Sequence, residues 1–220
     1  MLPFLYSFRR CPYAMRSRYA LAELNVYVYL REVVLKSKPP ELLLLGGRST
    51  VPQLIDLDGT RYPESLDIIF WALARAGDKQ KADELWPADS QKRHRIMSWV
   101  TYNDHFFKYW LDRYKYADRH PERSEAYYRG RGAVFLSRLE KRLENRVFIA
   151  GEARSLADIA IFPFIRQFAA VNPKWFDLSE YTNVKRWLAY FVNSDRFISV
   201  VMAKHPAWHA GQENTLYPAT

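Results

Sequence analysis

Apolar and polar positions follow two different rhythms along the chain, and the change falls near residue 77. Before it, short apolar or β-branched runs alternate with segments of helical period. LPFLY and VYVYLREVVL read as strands, and VPQLIDLDGTRYP reads as two strands joined at Asp58-Gly59, a pair suited to a tight hairpin. Between them, PYAMRSRYALAEL repeats apolar residues at helical spacing and carries Pro12 in its first turn, where a missing N–H does no harm. KSKPPELLLLGGRST reads as a short proline-opened helix ending at Gly46 and Gly47, and ESLDIIFWALARAG as a helix closed by Gly77. The predicted order over residues 1–77 is β-α-β-α-β-β-α, a small sheet with helices on both faces.

Residues 78–88 read as a linker. From residue 89 to 220 the pattern is helical, with aromatic-rich segments near 90–117, 122–145, 156–171 and 181–203 and breaks at Asn172-Pro173 and Ser194-Asp195. Ser155-x-x-Asp158 ahead of an apolar run is a capping box, and Pro163 inside that run is expected to bend the helix or remove one backbone hydrogen bond. The fold class is α/β followed by an all-α domain.

Composition narrows the functional classes. The chain has 220 residues, 49% hydrophobic and 16% aromatic, enough for one substantial core or two smaller ones. Its net charge of +9 raises the question of a nucleic-acid partner. The basic residues are interspersed with acids and aromatics, as in LEKRLENR, which indicates solvated helix faces and not a binding stripe. No apolar run approaches the roughly 20 residues of a membrane span, and MLPFLYSFRRC places its charges after a short apolar run, unlike a secretory signal. A cytoplasmic protein is expected. His205 and His209 have metal-like spacing, but Pro206 lies between them and no third ligand is near in sequence, so no metal site is expected.

The chemistry centres on the single cysteine, Cys11, which precedes Pro12 at a helix start. Unpaired N–H groups and the positive end of the helix dipole favour a thiolate there, and Arg9, Arg10, Arg16 and Arg18 add positive potential if they point toward it. The alternative is a buried, inert thiol. Val51-Pro52 follows a polar turn and precedes a strand, a setting that suits a cis bond and leaves the backbone of Val51 at a sheet edge; an ordinary trans proline is the alternative. Glu64-Ser65 opens a helix. Ser65 reads as its N-cap, able to hold a carboxylate with neighbouring N–H groups, while Glu64 suits an ammonium.

Taken together, CPYA, TVPQL, Glu64-Ser65 and SLADIA resemble the cytosolic glutathione transferase superfamily over nearly the whole chain, and in particular its cysteine-type branch, which includes the omega class and monothiol thiol transferases. The resemblance implies a thioredoxin-like first domain, a helical-bundle second domain, glutathione as co-substrate and a homodimer. It implies that Cys11 is catalytic and that Lys38, Val51, Pro52, Glu64 and Ser65 bind glutathione, with Lys36 an alternative to Lys38. Ala14 stands where a Cys-x-x-Cys motif has its second cysteine, so the resolving thiol must come from a second glutathione. The implied activities are thiol transfer, deglutathionylation or dehydroascorbate reduction, with weak conjugation of electrophiles. The competing reading is a non-catalytic interaction module of the same fold, serving transcription, translation or a membrane partner.

Overall fold

The computed structural model describes residues 1–219 as two compact units. The first comprises residues 1–82 together with the chain from Ser194 onward; the second comprises residues 83–193.

In the first unit the chain runs β1 (Phe4–Ser7), α1 (Pro12–Glu23), β2 (Val28–Glu32), α2 (Pro40–Leu44), β3 (Gln53–Ile55), β4 (Arg61–Tyr62) and α3 (Ser65–Arg75). This is the predicted order and the thioredoxin-like arrangement. β1 and β2 are parallel, as the crossover through α1 requires, whereas β3 pairs antiparallel with both β1 and β4. The β3–β4 hairpin closes at Gly59, whose φ of +84° accounts for glycine after Asp58.

Side-chain alternation divides the sheet into two buried faces. Leu5 lies beside Leu30 on one side and Leu54 on the other, and all three are buried. On the opposite face Tyr6 joins Val33, Val51 and Leu42 of α2. α1 packs against α3, which in turn meets β3 and β4. Eleven of the twelve residues of α1 are buried, including Arg16, Ser17, Arg18 and Glu23. Charges buried on that scale need partners. Arg18 pairs with Glu32 at 3.4 Å, and Glu23 accepts from Arg196 at 2.7 Å.

The far end of the chain departs from the expected all-helical domain over 89–220. After a π-helical segment at Arg196–Val201, the chain turns extended, and a fifth strand (Thr215–Tyr217) pairs antiparallel with β2, giving the sheet order β4-β3-β1-β2-β5, where β5 is that strand. The Trp208 N–H donates to Glu32 O at 2.9 Å, and the Tyr217 hydroxyl donates to Arg18 O at 2.8 Å. The Arg31 guanidinium lies 3.9 Å from the Phe4 ring centroid and 4.1 Å from that of Trp208. The physical reason is an open sheet edge: β2 would otherwise expose its N–H and C=O groups. The expected linker at 78–88 also contains a helix, α4 (Lys79–Leu85), which buries Ala82 and Leu85.

The second unit continues with α5 (Ser90–Tyr102), a π-helical turn at Asn103–Phe107, α6 (Lys108–Lys115), α7 (Glu125–Leu143), α8 (Leu156–Ala169), α9 (Pro173–Leu178) and α10 (Thr182–Val192). Asp89 caps α5, accepting from the Lys92 N–H at 2.8 Å, and Ser124 caps α7, accepting from the Tyr127 N–H at 3.2 Å. At the core Phe107 stacks on Phe135 with centroids 4.7 Å apart, and Phe168 meets Phe107 at 5.4 Å and Tyr114 at 4.8 Å. α7 approaches this cluster through Gly132: a Cβ there would lie 2.6 Å from Phe168 Cε2.

α8 runs through Pro163 and is buried from Leu156 to Ile165. Its capping box is formed, with one Asp158 oxygen accepting from the Ser155 N–H at 2.9 Å and the Ser155 hydroxyl at 2.7 Å. The other accepts from the Ile149 N–H and Trp187 Nε1, each at 2.9 Å. Burial pushes this carboxyl above the usual range, opposed by those same donors. No helix among the described residues is long and apolar enough to cross a membrane.

Candidate active site

Cys11 occupies the N-cap of α1, with Pro12 as the first helical residue. Its backbone is extended (φ −77°, ψ 123°), its N–H donates to Phe8 O at 3.0 Å, and its carbonyl accepts the first helical bond from Met15 at 2.8 Å. The half-buried Cys11 is in no disulfide, and its Sγ lies 3.6 Å from the Val51 carbonyl oxygen. The Val51–Pro52 peptide bond is cis. A thiol at a helix N-terminus therefore stands next to the backbone of a cis-proline loop.

That loop is held by side chains from outside it. Gln53, fully buried, donates through Nε2 to Arg48 O at 2.8 Å and Thr50 O at 2.7 Å. Arg61 donates to Leu45 O and Gly46 O, each at 2.7 Å, and to Arg48 O at 3.1 Å. Gly46 and Gly47 take positive φ (71° and 62°), so the turn between α2 and the cis bond requires a residue without a Cβ penalty. Lys38 donates from Nζ to Ser49 Oγ at 3.1 Å, while Lys36 is exposed. Lys38 thus belongs to the same loop assembly, at the end nearest Ser49.

The start of α3 differs by one residue from its expected form. Glu64, exposed, is the N-cap and makes no side-chain cap bond, whereas Ser65 is the first helical residue and is buried. Its hydroxyl accepts from Arg16 Nε at 2.8 Å, and its carbonyl accepts from Ser17 Oγ at 3.3 Å. Ser65 is thereby tied to α1, the helix that Cys11 caps.

Each of the four neighbouring arginines has a partner other than the thiol. Arg16 is directed to Ser65, and Arg18 to Glu32. Arg10 lies 5.5 Å from the Phe8 ring, and Arg9 bonds Glu32 through its backbone N–H at 2.7 Å. Burial raises the Glu32 carboxyl above the usual range, against the pull of the Arg9 N–H and Arg18. Burial and then Arg18 lower the imidazole of His205. His209 is exposed, and among the described residues no group of three His, Cys, Asp or Glu is placed to hold a metal.

Cys11, Val51-Pro52 and the Ser65 turn are therefore connected through α1, with Glu64 at the cap position and Lys38 on the loop. Residue-type reasoning named Arg16 only as a charge near the thiol and missed Gln53 and Arg61; all three hold the other residues in place.

Comparison with known proteins places this geometry. The model for the glutathione S-transferase N-terminal domain matches residues 5–80, and that for the C-terminal domain matches residues 129–189, together more than half of the chain. A glutathione transferase from Burkholderia graminis, crystallised with two glutathione molecules bound per subunit, is 25% identical, with 90% of this chain and 86% of that one covered and a TM-score of 0.73. A glutathione transferase family member from Pseudomonas fluorescens, with two glutathione bound, is 22% identical, with 90% and 91% covered and a TM-score of 0.75. Poplar glutathione transferase F1 is 20% identical, with 90% and 96% covered and a TM-score of 0.76. The thiol at a helix start, the cis-proline loop and the two matched domains make the chain a member of the glutathione S-transferase superfamily.

Proposed function

We propose that the protein is a glutathione-dependent thiol transferase of the cysteine-type branch, with Cys11 as nucleophile. The observation that carries this reading is the position of Cys11 Sγ, 3.6 Å from Val51 O at the cap of α1 and beside a cis peptide bond. Glutathione is a short peptide, and Val51 presents backbone to pair with its cysteinyl unit, which brings the two sulfurs together. Ser65 and Glu64 at the start of α3 suit the γ-glutamyl carboxylate and ammonium, Pro52 fixes the loop, and Lys38 meets the glycyl carboxylate.

The reaction is two successive exchanges. The Cys11 thiolate attacks the glutathionyl sulfur of a mixed disulfide, forming a Cys11–glutathione disulfide and releasing the substrate thiolate. The thiolate of a second glutathione then attacks the glutathionyl sulfur, releasing Cys11 thiolate and oxidised glutathione. One free glutathione is consumed for each mixed disulfide reduced, the other half of the oxidised glutathione coming from the substrate, and no second protein cysteine is needed, in keeping with Ala14. The Burkholderia graminis relative, which holds two glutathione molecules per subunit, supports a site with room for both. Deglutathionylation is the same chemistry on a protein thiol. Dehydroascorbate reduction and weak conjugation draw on the same bound thiolate. The protein acts as a cytoplasmic homodimer in this reading.

The test is disulfide reduction coupled to glutathione turnover. Cys11→Ala brings the rate to the uncatalysed background with the fold and glutathione binding intact; full activity in that variant sinks the mechanism. Intact mass after treatment with oxidised glutathione shows one adduct, absent in Cys11→Ala. A non-catalytic module gives no adduct and no retention on immobilised glutathione.

A further inference from the structure

The helical unit contains a cavity of about 350 Å³, within the size range of small-molecule sites. All of its lining residues lie between Asp83 and Ser155, within that unit, and none belongs to the Cys11 assembly. Its inner wall is apolar and aromatic: Ile96 and Ile149 are buried and Trp99 is half-buried. Trp99 is fixed edge-on to Phe135 with centroids 5.7 Å apart. A rigid indole beside two isoleucines offers a flat surface for a planar apolar body.

Three cations line the same cavity, the exposed Lys92 and Arg95 and the half-buried Arg142. Arg142, half-buried, lines it and donates through Nε to Ile149 O at 2.7 Å. Arg95 lines it too, exposed, and no carboxylate lies within ion-pair distance of either guanidinium among the described residues. Burial, then the like charges of Arg146 and Arg95, lower the Arg142 guanidinium against the pull of the buried Asp158 carboxylate, a net disfavouring of its charge that a further anion would relieve. The cavity's carboxylates, Asp83, Glu84 and Glu152, are all exposed at its rim, where water screens them. A half-buried cation beside an apolar wall, with the acids that line the cavity all at its rim, selects a ligand with one anionic end and a flat apolar body.

We propose that this cavity is a binding site for a small aromatic carboxylate, its ring against Ile96, Trp99 and Ile149 and its carboxylate on Arg142, with Arg95 assisting. The site is independent of the glutathione reading, since no residue is shared.

The experiment uses the full-length protein, calorimetric titration, and two probes of equal shape, naphthalene-2-carboxylate and naphthalene-2-carboxamide, with saturating glutathione present throughout. The carboxylate binds at one site, about tenfold or more tightly than the amide. Arg142→Gln brings the carboxylate down to the affinity of the amide and leaves the amide unchanged. Ala153→Trp, a change at an exposed lining residue, fills the mouth and removes binding of both. Should Arg142→Gln fail to fold, Arg95→Gln and Ala153→Trp carry the test, the first weakening only the carboxylate. Equal carboxylate binding by wild type and Ala153→Trp, equal affinity for the two probes, or no binding at millimolar concentration overturns the proposal.

Discussion

Arg16 donates its Nε–H to the hydroxyl of Ser65 at 2.8 Å, with both residues buried and 49 positions apart. The bond joins the helix capped by Cys11 to the first turn of α3. Arg16→Gln and Ser65→Ala are each expected to weaken glutathione binding, and the double variant to lose less than their sum, with a coupling of about 0.5–3 kcal/mol. Glutathione titration of the four proteins measures it. Strictly additive losses would mean that the pair does not act as a unit.

Asp158 collects two backbone N–H groups, the Ser155 hydroxyl and the Trp187 indole on one buried carboxylate. Asp158→Asn replaces one acceptor oxygen with a donor that faces existing donors. The expected cost is about 2–4 kcal/mol of stability, read by urea unfolding, with a parallel loss of near-ultraviolet signal from Trp187.

Gly132 is expected to tolerate no side chain, because its Cβ would meet Phe168, itself wedged between Phe107 and Tyr114. Gly132→Ala gains helix propensity of up to about 1 kcal/mol but pays overpacking of about 1–3 kcal/mol. A lowered melting temperature is the outcome. Phe168→Leu in the same chain should recover part of the loss.

Tyr217 is buried with its hydroxyl on Arg18 O, and burial pushes its phenol up to about 12, partly offset by Arg18. The folded state thus holds the proton more tightly than the unfolded chain, whose phenol titrates near its ordinary value of 10.0. The stabilising contribution is full below pH 10 and lost as pH rises through 12. Tyr217→Phe should be less stable by about 1 kcal/mol at pH 8, and the gap should close and then reverse across that alkaline window, because deprotonating the buried phenol costs the wild type more than the hydrogen bond contributes. Unfolding curves at stepped pH distinguish this from a pH-independent difference.

What the sequence disclosed was local. Pro12 after Cys11, Asp58-Gly59 and Ser155-x-x-Asp158 each constrain a few neighbouring residues, and each formed the predicted start or turn. Ser65 was placed one position off because a cap and a first helical residue differ only in backbone angles that its identity does not settle. α4 was hidden by charge: KQKADEL shows only Ala82 and Leu85 to the core, too few for a visible period. The bonds of Arg16, Gln53 and Arg61 depend on which segments become neighbours in space, and no spacing along the chain encodes that. β5 was missed for the same reason, since three residues of TLY acquire strand character only from the open edge of β2.

That strand makes the first unit a fold with an interruption. Tyr217 bonds Arg18 across 199 positions, so the N-terminal segment emerges from the ribosome with β2 still uncovered and Arg18 still lacking a neighbour on that side. The helical unit, contiguous in sequence, can be completed while the first waits for its last strand. Synthesis order and structural order are therefore nested, and a fragment ending at Ala82 is a thioredoxin-like sheet with an exposed edge, prone to pair with copies of itself.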